Sequence, residues 1–268
     1  MSVEDKETAN MLAHGDRTDT FQAVMSLIRP DVSSILDIGC GIGSLSSLLA
    51  DRFPSATTVG LDRSRYLLKE LRRRGMKPNT LLIQADAPIL PLRSESFDLV
   101  VAVQVLHEVF HFKGEKELLA TINGAYGLLR EGGELIVVDH RNPGETPISV
   151  RLSEDLLKKL RHFELRFKPR KISFEMLDDR WVRISMRDFY DFVTKIWAIN
   201  TSLEKVEMNE THTPFTEQQF GHLCQEAGFK IAHTASLISI ESHLKHYGID
   251  IKTSSRLPER HFIVAAEK

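Results

Sequence analysis

Three groups of residues in this sequence have types and spacings that could do chemistry. The first is Asp37-Ile-Gly-Cys-Gly-Ile-Gly43, with a further acid, Asp62, nineteen positions after Gly43. Glycines at a strand-to-helix turn let the backbone approach a ligand closely, and the helix N-terminus offers unsatisfied amides. An acid ending the next strand could accept hydrogen bonds from two ribose hydroxyls. A dinucleotide site wants G-x-G-x-x-G around a pyrophosphate. Here Gly39, Gly41 and Gly43 run G-x-G-x-G, with Ser44 and Ser46 where a later glycine would serve. The bland alternative is an ordinary tight turn. The second group, His107-Glu-Val-Phe-His111, matches H-E-x-x-H, in which two histidines one helical turn apart bind zinc and the glutamate is the base. The third is His140, an imidazole able to accept a proton near neutral pH.

These residues need elements to hold them. Short apolar runs at Ser34–Ile38, Thr57–Asp62, Thr80–Gln84, Phe97–Val103 and Glu134–Asp139 read as strands. Between them lie amphipathic stretches at Leu45–Asp51, Arg65–Arg74 and Lys116–Leu129, with Gly75 and Gly132 where helix C-caps are expected. Near-continuous apolar strands separated by helices predict an α/β fold with a parallel, doubly wound sheet. Ahead of it Thr20–Ile28 reads as a helix stopped by Pro30. After Asp139 the pattern changes to mainly helical stretches, Ser153–Phe167 and Met186–Asn200. A capping box of Thr216 and Gln219 then opens another helix, before strands at Phe229–Ile238 and His261–Ala266. The expected organisation is an N-terminal helical segment (1–30), a core formed by 31–142 and 213–268, and a helical insertion, 146–212, after the fifth strand.

The ordered motifs resemble the class I S-adenosylmethionine-dependent methyltransferases of small-molecule type. The resemblance covers about residues 34–140. It rests on Asp37–Gly43, Gly60-Leu-Asp62-Arg-Ser, Gln84-Ala-Asp86-Ala, the run Phe97–His107, and Leu128-Leu-Arg-Glu-Gly-Gly-Glu134. It implies a Rossmann-like sheet with an antiparallel last strand, His261–Ala266, and S-adenosylmethionine as cofactor. Carried over position by position, Asp37 and the Gly39 backbone hold the methionine end, within the loop of Cys40, Gly41 and Gly43. Asp62, followed by Arg63, grips the ribose. Asp86 and the Ala87 backbone read the adenine edge, and Gln104 lies beside the sulfonium.

Departures from the family's subclasses narrow the chemistry. Gln104-Val-Leu-His stands where base-amino methylases resemble one another in an Asn/Asp-Pro-Pro-aromatic turn. Cys40 and Cys224 are misplaced for a 5-methylcytosine nucleophile and read as packing residues. Gln104 and Asp139-His140 replace the magnesium-binding acids of the catechol enzymes, and H-E-x-x-H here follows a strand rather than sitting on a long helix, so no metal is expected. His107, His111 and His140 become the candidate catalytic groups, as base or acceptor-positioning residues at the carboxyl edge of the sheet.

The chain has 268 residues, is 42% hydrophobic and carries a formal net charge of −2, which gives the whole molecule no pull toward nucleic acid or anionic membrane. Residues 151–187 hold 11 Lys/Arg against 6 Asp/Glu, and eight of the 20 aromatic residues lie between Arg151 and Asn200. They read as a solvated face and a mini-core, or as attraction for a carboxylate, phosphate or RNA backbone. A polar, acidic N-terminus and the lack of a membrane-length apolar run suggest a cytoplasmic protein. The expected reaction is methyl transfer to an oxygen or nitrogen of a small, anionic or neutral organic acceptor under an insertion lid. The alternative is an RNA- or protein-modifying methyltransferase that docks its macromolecule on the insertion.

Overall fold

A computed structural model describes residues 3–14, 17–253 and 256–268. They form two compact units. The first contains the chain up to Asp139, Glu217–Ala235 and Phe262–Lys268; the second contains His140–Thr216 and Ser236–His261. Within the N-terminal segment, α1 (Val3–His14) and α2 (Thr18–Leu27) are helical, and residues 1–2 and 15–16 lie outside the described part.

The first unit is built on β1 (Ser34–Ile38), β2 (Thr57–Asp62), β3 (Thr80–Gln84), β4 (Phe97–Val103) and β5 (Leu129–His140), with β9 (Lys230–Leu237) and β11 (His261–Glu267) completing the sheet. The strand order is β3-β2-β1-β4-β5-β11-β9, and β1 to β5 pair in parallel. The central strands β1, β4 and β5 leave no face for water, with Ile35, Leu36, Leu99, Val100, Val101, Ile136, Val137 and Val138 fully buried, while the edge strand β3 exposes Leu81. Helices α3 (Ser44–Arg52), α4 (Arg65–Arg74), α5 (Leu106–Lys113) and α6 (Glu115–Leu128) supply the crossovers. Strand order reverses between β1 and β4, so the carboxyl ends of these two strands diverge into the crevice where such sheets bind ligands. Backbone bonds join Arg141 to Arg260 at one end and Gly132 and Gly133 to Lys268 at the other, so β11 runs antiparallel to β5.

Gly132 is not a helix cap. Phe97 pairs with Leu129 but Leu99 with Glu134, and the intervening Arg130–Gly133 segment bulges out of β5. Gly132, at φ +70°, makes that turn and hydrogen-bonds to Lys268 instead of closing α6, which already ends at Leu128.

The second unit has α7 (Glu154–Arg166), α8 (Met186–Lys195), α9 (Glu204–Glu207) and α11 (Glu241–Tyr247). It also contains a four-stranded antiparallel sheet in the order β10-β6-β8-β7, with β6 at Pro147–Arg151, β7 at Phe174–Met176, β8 at Trp181–Ser185 and β10 at Asp250–Lys252. Strands appear where the sequence suggested mainly helix because β6 and β8 alternate: Ile148, Val150, Val182 and Ile184 point inward, and polar residues stand between them. Residues 236–261 join this unit rather than the first, since Ile240, Leu244 and Ile249 pack into the core of Phe163, Phe189, Phe192 and Val193. Helix α10 (Glu217–Glu226) belongs to the first unit, with Phe220 stacked against Phe262. No helix among the described residues is long and apolar enough to cross a membrane.

Candidate active site

The glycine loop is pinned from two sides. Gly39 and Cys40 donate their amides to the Leu61 carbonyl of β2, and Gly41 donates at 2.8 Å to the Asp62 carboxylate. Gly39 sits at φ +73°, and a Cβ there would lie 2.5 Å from a Val105 methyl. Gly43, at φ +80°, is the N-cap of α3 and faces Leu71 with no room for a side chain. Loop and β4 turn thus approach at backbone distance, which only glycine permits.

Two buried acids flank the loop. Asp37 lies in β1, 2% exposed, and accepts a 2.5 Å hydrogen bond from Ser46 on α3. Burial pushes its carboxyl up to about 7; Ser46 opposes this, and the like charge of Asp62 adds to it. Ser46 is a residue that sequence reading passed over as a missing glycine. Asp62 accepts from Gly41 with one oxygen and from Ser64 at 2.7 Å with the other, each oxygen keeping a second lone pair. Burial raises its pKa too, opposed by those two amides. Cys40 is buried, its thiol pushed up by desolvation, as suits a packing residue.

The remaining cofactor candidates lie on the neighbouring turns. Asp86 pairs with Lys113 at the end of α5, Ala87 is buried, and Arg63 is 3.8 Å from Glu108 and over the Phe112 ring. Gln104 ends β4 at φ +53°, with its amide bonded to the Val138 carbonyl at 2.7 Å. A left-handed non-glycine residue is strained, and such strain gathers at functional turns.

The catalytic candidates belong to both units, His107 and His111 to the first and His140 to the second. Asp139, fully buried at the end of β5, accepts from the amides of Leu106 and His107 with one oxygen, capping α5. Its other oxygen lies 2.6 Å from His107 Nδ1. A carboxylate there fixes the proton on Nδ1 and makes Nε2 the accepting nitrogen. His111 stands one turn on, half-buried and edge-on to Phe112, and shares no ligand cluster with His107 among the described residues. In the second unit His140 is stacked flat on His212, centroids 4.4 Å apart, and meets His261 edge-on. His212 and His261 carried no motif. His212 is held by Asp191 through its amide and by Thr194 at 3.1 Å. Glu207, Glu210 and His212 could also converge on a cation, but the wholly buried Lys195 ammonium already lies 2.9 Å from Glu207.

The comparisons with known proteins now have a geometry to attach to. Residues 36–137 match the family model described as a methyltransferase domain. That segment is similar to a methyltransferase domain. The buried acid of β1, the loop amides and Asp62 at the end of β2 would suit S-adenosylmethionine: a cationic ammonium would relieve Asp37, and a ribose would find acceptors at Asp62. The chain is 34% identical over 111 residues to phthiotriol/phenolphthiotriol dimycocerosates methyltransferase 1 of Mycobacterium ulcerans, covering 41% of this chain and 39% of that protein. It is 42% identical over 74 residues to the malonyl-[acyl-carrier protein] O-methyltransferase of Legionella pneumophila, covering 27% of this chain and 26% of that one. The matched stretches thus span less than two fifths of either relative. A structure described as a putative S-adenosylmethionine dependent methyltransferase from Listeria monocytogenes shares the fold over 94% of this chain and 99% of its own, with TM-score 0.56 at 13% identity.

Proposed function

We propose that the chain transfers a methyl group from S-adenosylmethionine to an oxygen or nitrogen of a small organic acceptor, with His107 as the base. When bound, the cofactor supplies an electrophilic methyl group on its sulfonium. The observation that carries the reading is the His107–Asp139 pair at the carboxyl end of the methyltransferase sheet. Asp37, the glycine-loop amides and Asp62 hold the cofactor, while the strained Gln104 turn sets the floor of the crevice. Asp139 orients the His107 ring and stabilises its cation, so Nε2 can take the acceptor proton as the acceptor attacks. His111, one helical turn on, then serves the acceptor's placement.

The macromolecular reading loses its main support. Phe163, Phe167, Phe189, Tyr190 and Phe192 are buried in the core of the second unit, and only Trp197 is exposed among the insertion's aromatic residues. They build a core rather than a platform for stacking bases. The test is isothermal titration with S-adenosylmethionine, followed by turnover across quinones, acids, amines and RNA. On the acceptor so found, His107→Asn should lower kcat by about 10²- to 10⁴-fold without changing cofactor affinity, and should remove the acidic limb of the pH profile. Full turnover by the variant would take His107 out of the role.

A further inference from the structure

Two arginines of the second unit are placed together by the backbone. Arg141 follows the end of β5, Arg260 precedes β11, and the Arg141 amide donates to the Arg260 carbonyl at 2.8 Å. Neighbours paired across antiparallel strands carry their side chains to the same face. Arg141 Nη1 donates to the Ser236 hydroxyl. Arg260 Nη1 donates to His243 Nε2 at 3.3 Å. The Tyr190 hydroxyl, on α8, feels the Glu259 carboxylate and then both guanidinium charges, and donates to the Pro258 carbonyl.

Arg260 lacks the anionic partner that a guanidinium held largely out of water normally has. Among the described residues no carboxylate pairs with Arg260, and its buried Nε–H has no acceptor. The neighbouring Glu259 spends its carboxylate on Arg256, at 2.6 Å. Burial alone pulls the Arg260 guanidinium down to about 10, with the Tyr190 hydroxyl the opposing influence. His243 is pushed down to about 4 by burial, by Arg260 and by His246. A buried guanidinium normally meets a carboxylate or phosphate, because leaving it unpaired costs several kcal/mol. The buried polar interior of the second unit follows that rule elsewhere: Arg170 meets Asp188 and Asp191, and Lys195 meets Glu207.

We propose that Arg260, with Arg141 beside it, is a binding site for an oxyanion, the carboxylate or phosphate group of a small molecule. Arg260 offers Nε–H and Nη–H in one fork, which a two-oxygen anion fills in bidentate fashion.

The experiment titrates the full chain, with S-adenosylmethionine present, separately with malonate and with inorganic phosphate at fixed ionic strength. At least one anion should bind with Kd below ~10 mM, about 2.7 kcal/mol. The Arg260→Met variant should lose at least tenfold of that affinity and Arg260→Lys less, while cofactor affinity stays within twofold. Tighter malonate binding assigns a carboxylate and tighter phosphate binding a phosphate ester. Wild-type protein gives an independent readout, because the anion should raise the His243 titration, followed by imidazole NMR, from about 4 toward the ordinary histidine range. Absence of binding by either anion, or equal binding by wild type and Arg260→Met, overturns the site. Arg260-dependent anion binding in a chain that fails to bind S-adenosylmethionine upholds the site and overturns the methyl-transfer reading. Cofactor binding without anion binding does the reverse.

Discussion

At the scale of single residues, the two acids of the cofactor crevice call for different measurements. Asp62→Ala removes the acceptor for the Gly41 and Ser64 amides and for the ribose. S-adenosylmethionine affinity should fall by about 1.5–3 kcal/mol, measured by calorimetry on a folded variant. Asp37 instead strains the empty chain. Its folded pKa of about 7 exceeds the unfolded value of 3.8, so the folded state holds a proton that the unfolded state has released. This group's contribution therefore makes stability decline as pH rises between about 4 and 7. Asp37→Asn should raise the stability of the cofactor-free protein at pH 8 by up to ~4 kcal/mol, should do almost nothing at pH 4, and should weaken cofactor binding. Melting curves of both proteins at the two pH values decide it; equal melting at pH 8 would show that Asp37 ionises in the folded state without penalty.

Elements explain which parts could be read in advance. β1 to β4 fall on the residues their apolar runs indicated, because short runs of Val, Ile and Leu write an uninterrupted apolar signature even in β3, whose Leu81 is exposed. Asp37, Asp62 and the glycine turn sit inside that signature at fixed offsets. Ser46 and Asp139 were illegible as functional groups: their partners, Asp37 and His107, are 9 and 32 positions away, and no local pattern records such pairings. β6 and β8 escaped notice because five alternating residues beside basic amphipathic helices are a faint signal. Arg141 and Arg260 meet only through the antiparallel return of β11. The glycine loop itself offers a test at this scale. Gly39→Ala adds a methyl group at φ +73° against Val105 and should cost about 2–4 kcal/mol in denaturant unfolding. Pairing it with Val105→Ala should recover all but ~1 kcal/mol of the cost specific to Gly39, the share owed to the left-handed backbone. An unchanged penalty in that background would put the whole cost on the dihedral angles.

Over the whole molecule, the second unit is assembled from two stretches of chain, and this changes how it can be removed. Replacing residues 150–208 alone would strip the partners from Ile240, Leu244 and Ile249 and should yield aggregated protein. Linking Asp139 to Glu217 and Ala235 to Phe262 removes the unit entire. We expect the remainder to stay soluble, to bind S-adenosylmethionine within tenfold (~1.4 kcal/mol) of the full chain, and to lose at least ~100-fold in turnover. Turnover retained by the shortened protein would make the second unit an appendage. The same threading has a consequence for synthesis. β11 lies between β5 and β9, yet the ribosome makes it after both and after the whole second unit. At about 5–20 residues per second, the nascent sheet waits on the order of 6–24 s between β5 and the strand that fills the gap beside it. During that interval two unpaired strand edges face the cytosol of any expression host, an invitation to wrong pairing. Yield should therefore respond to slower induction and to trigger-type chaperones more than to any stabilising substitution in the finished fold.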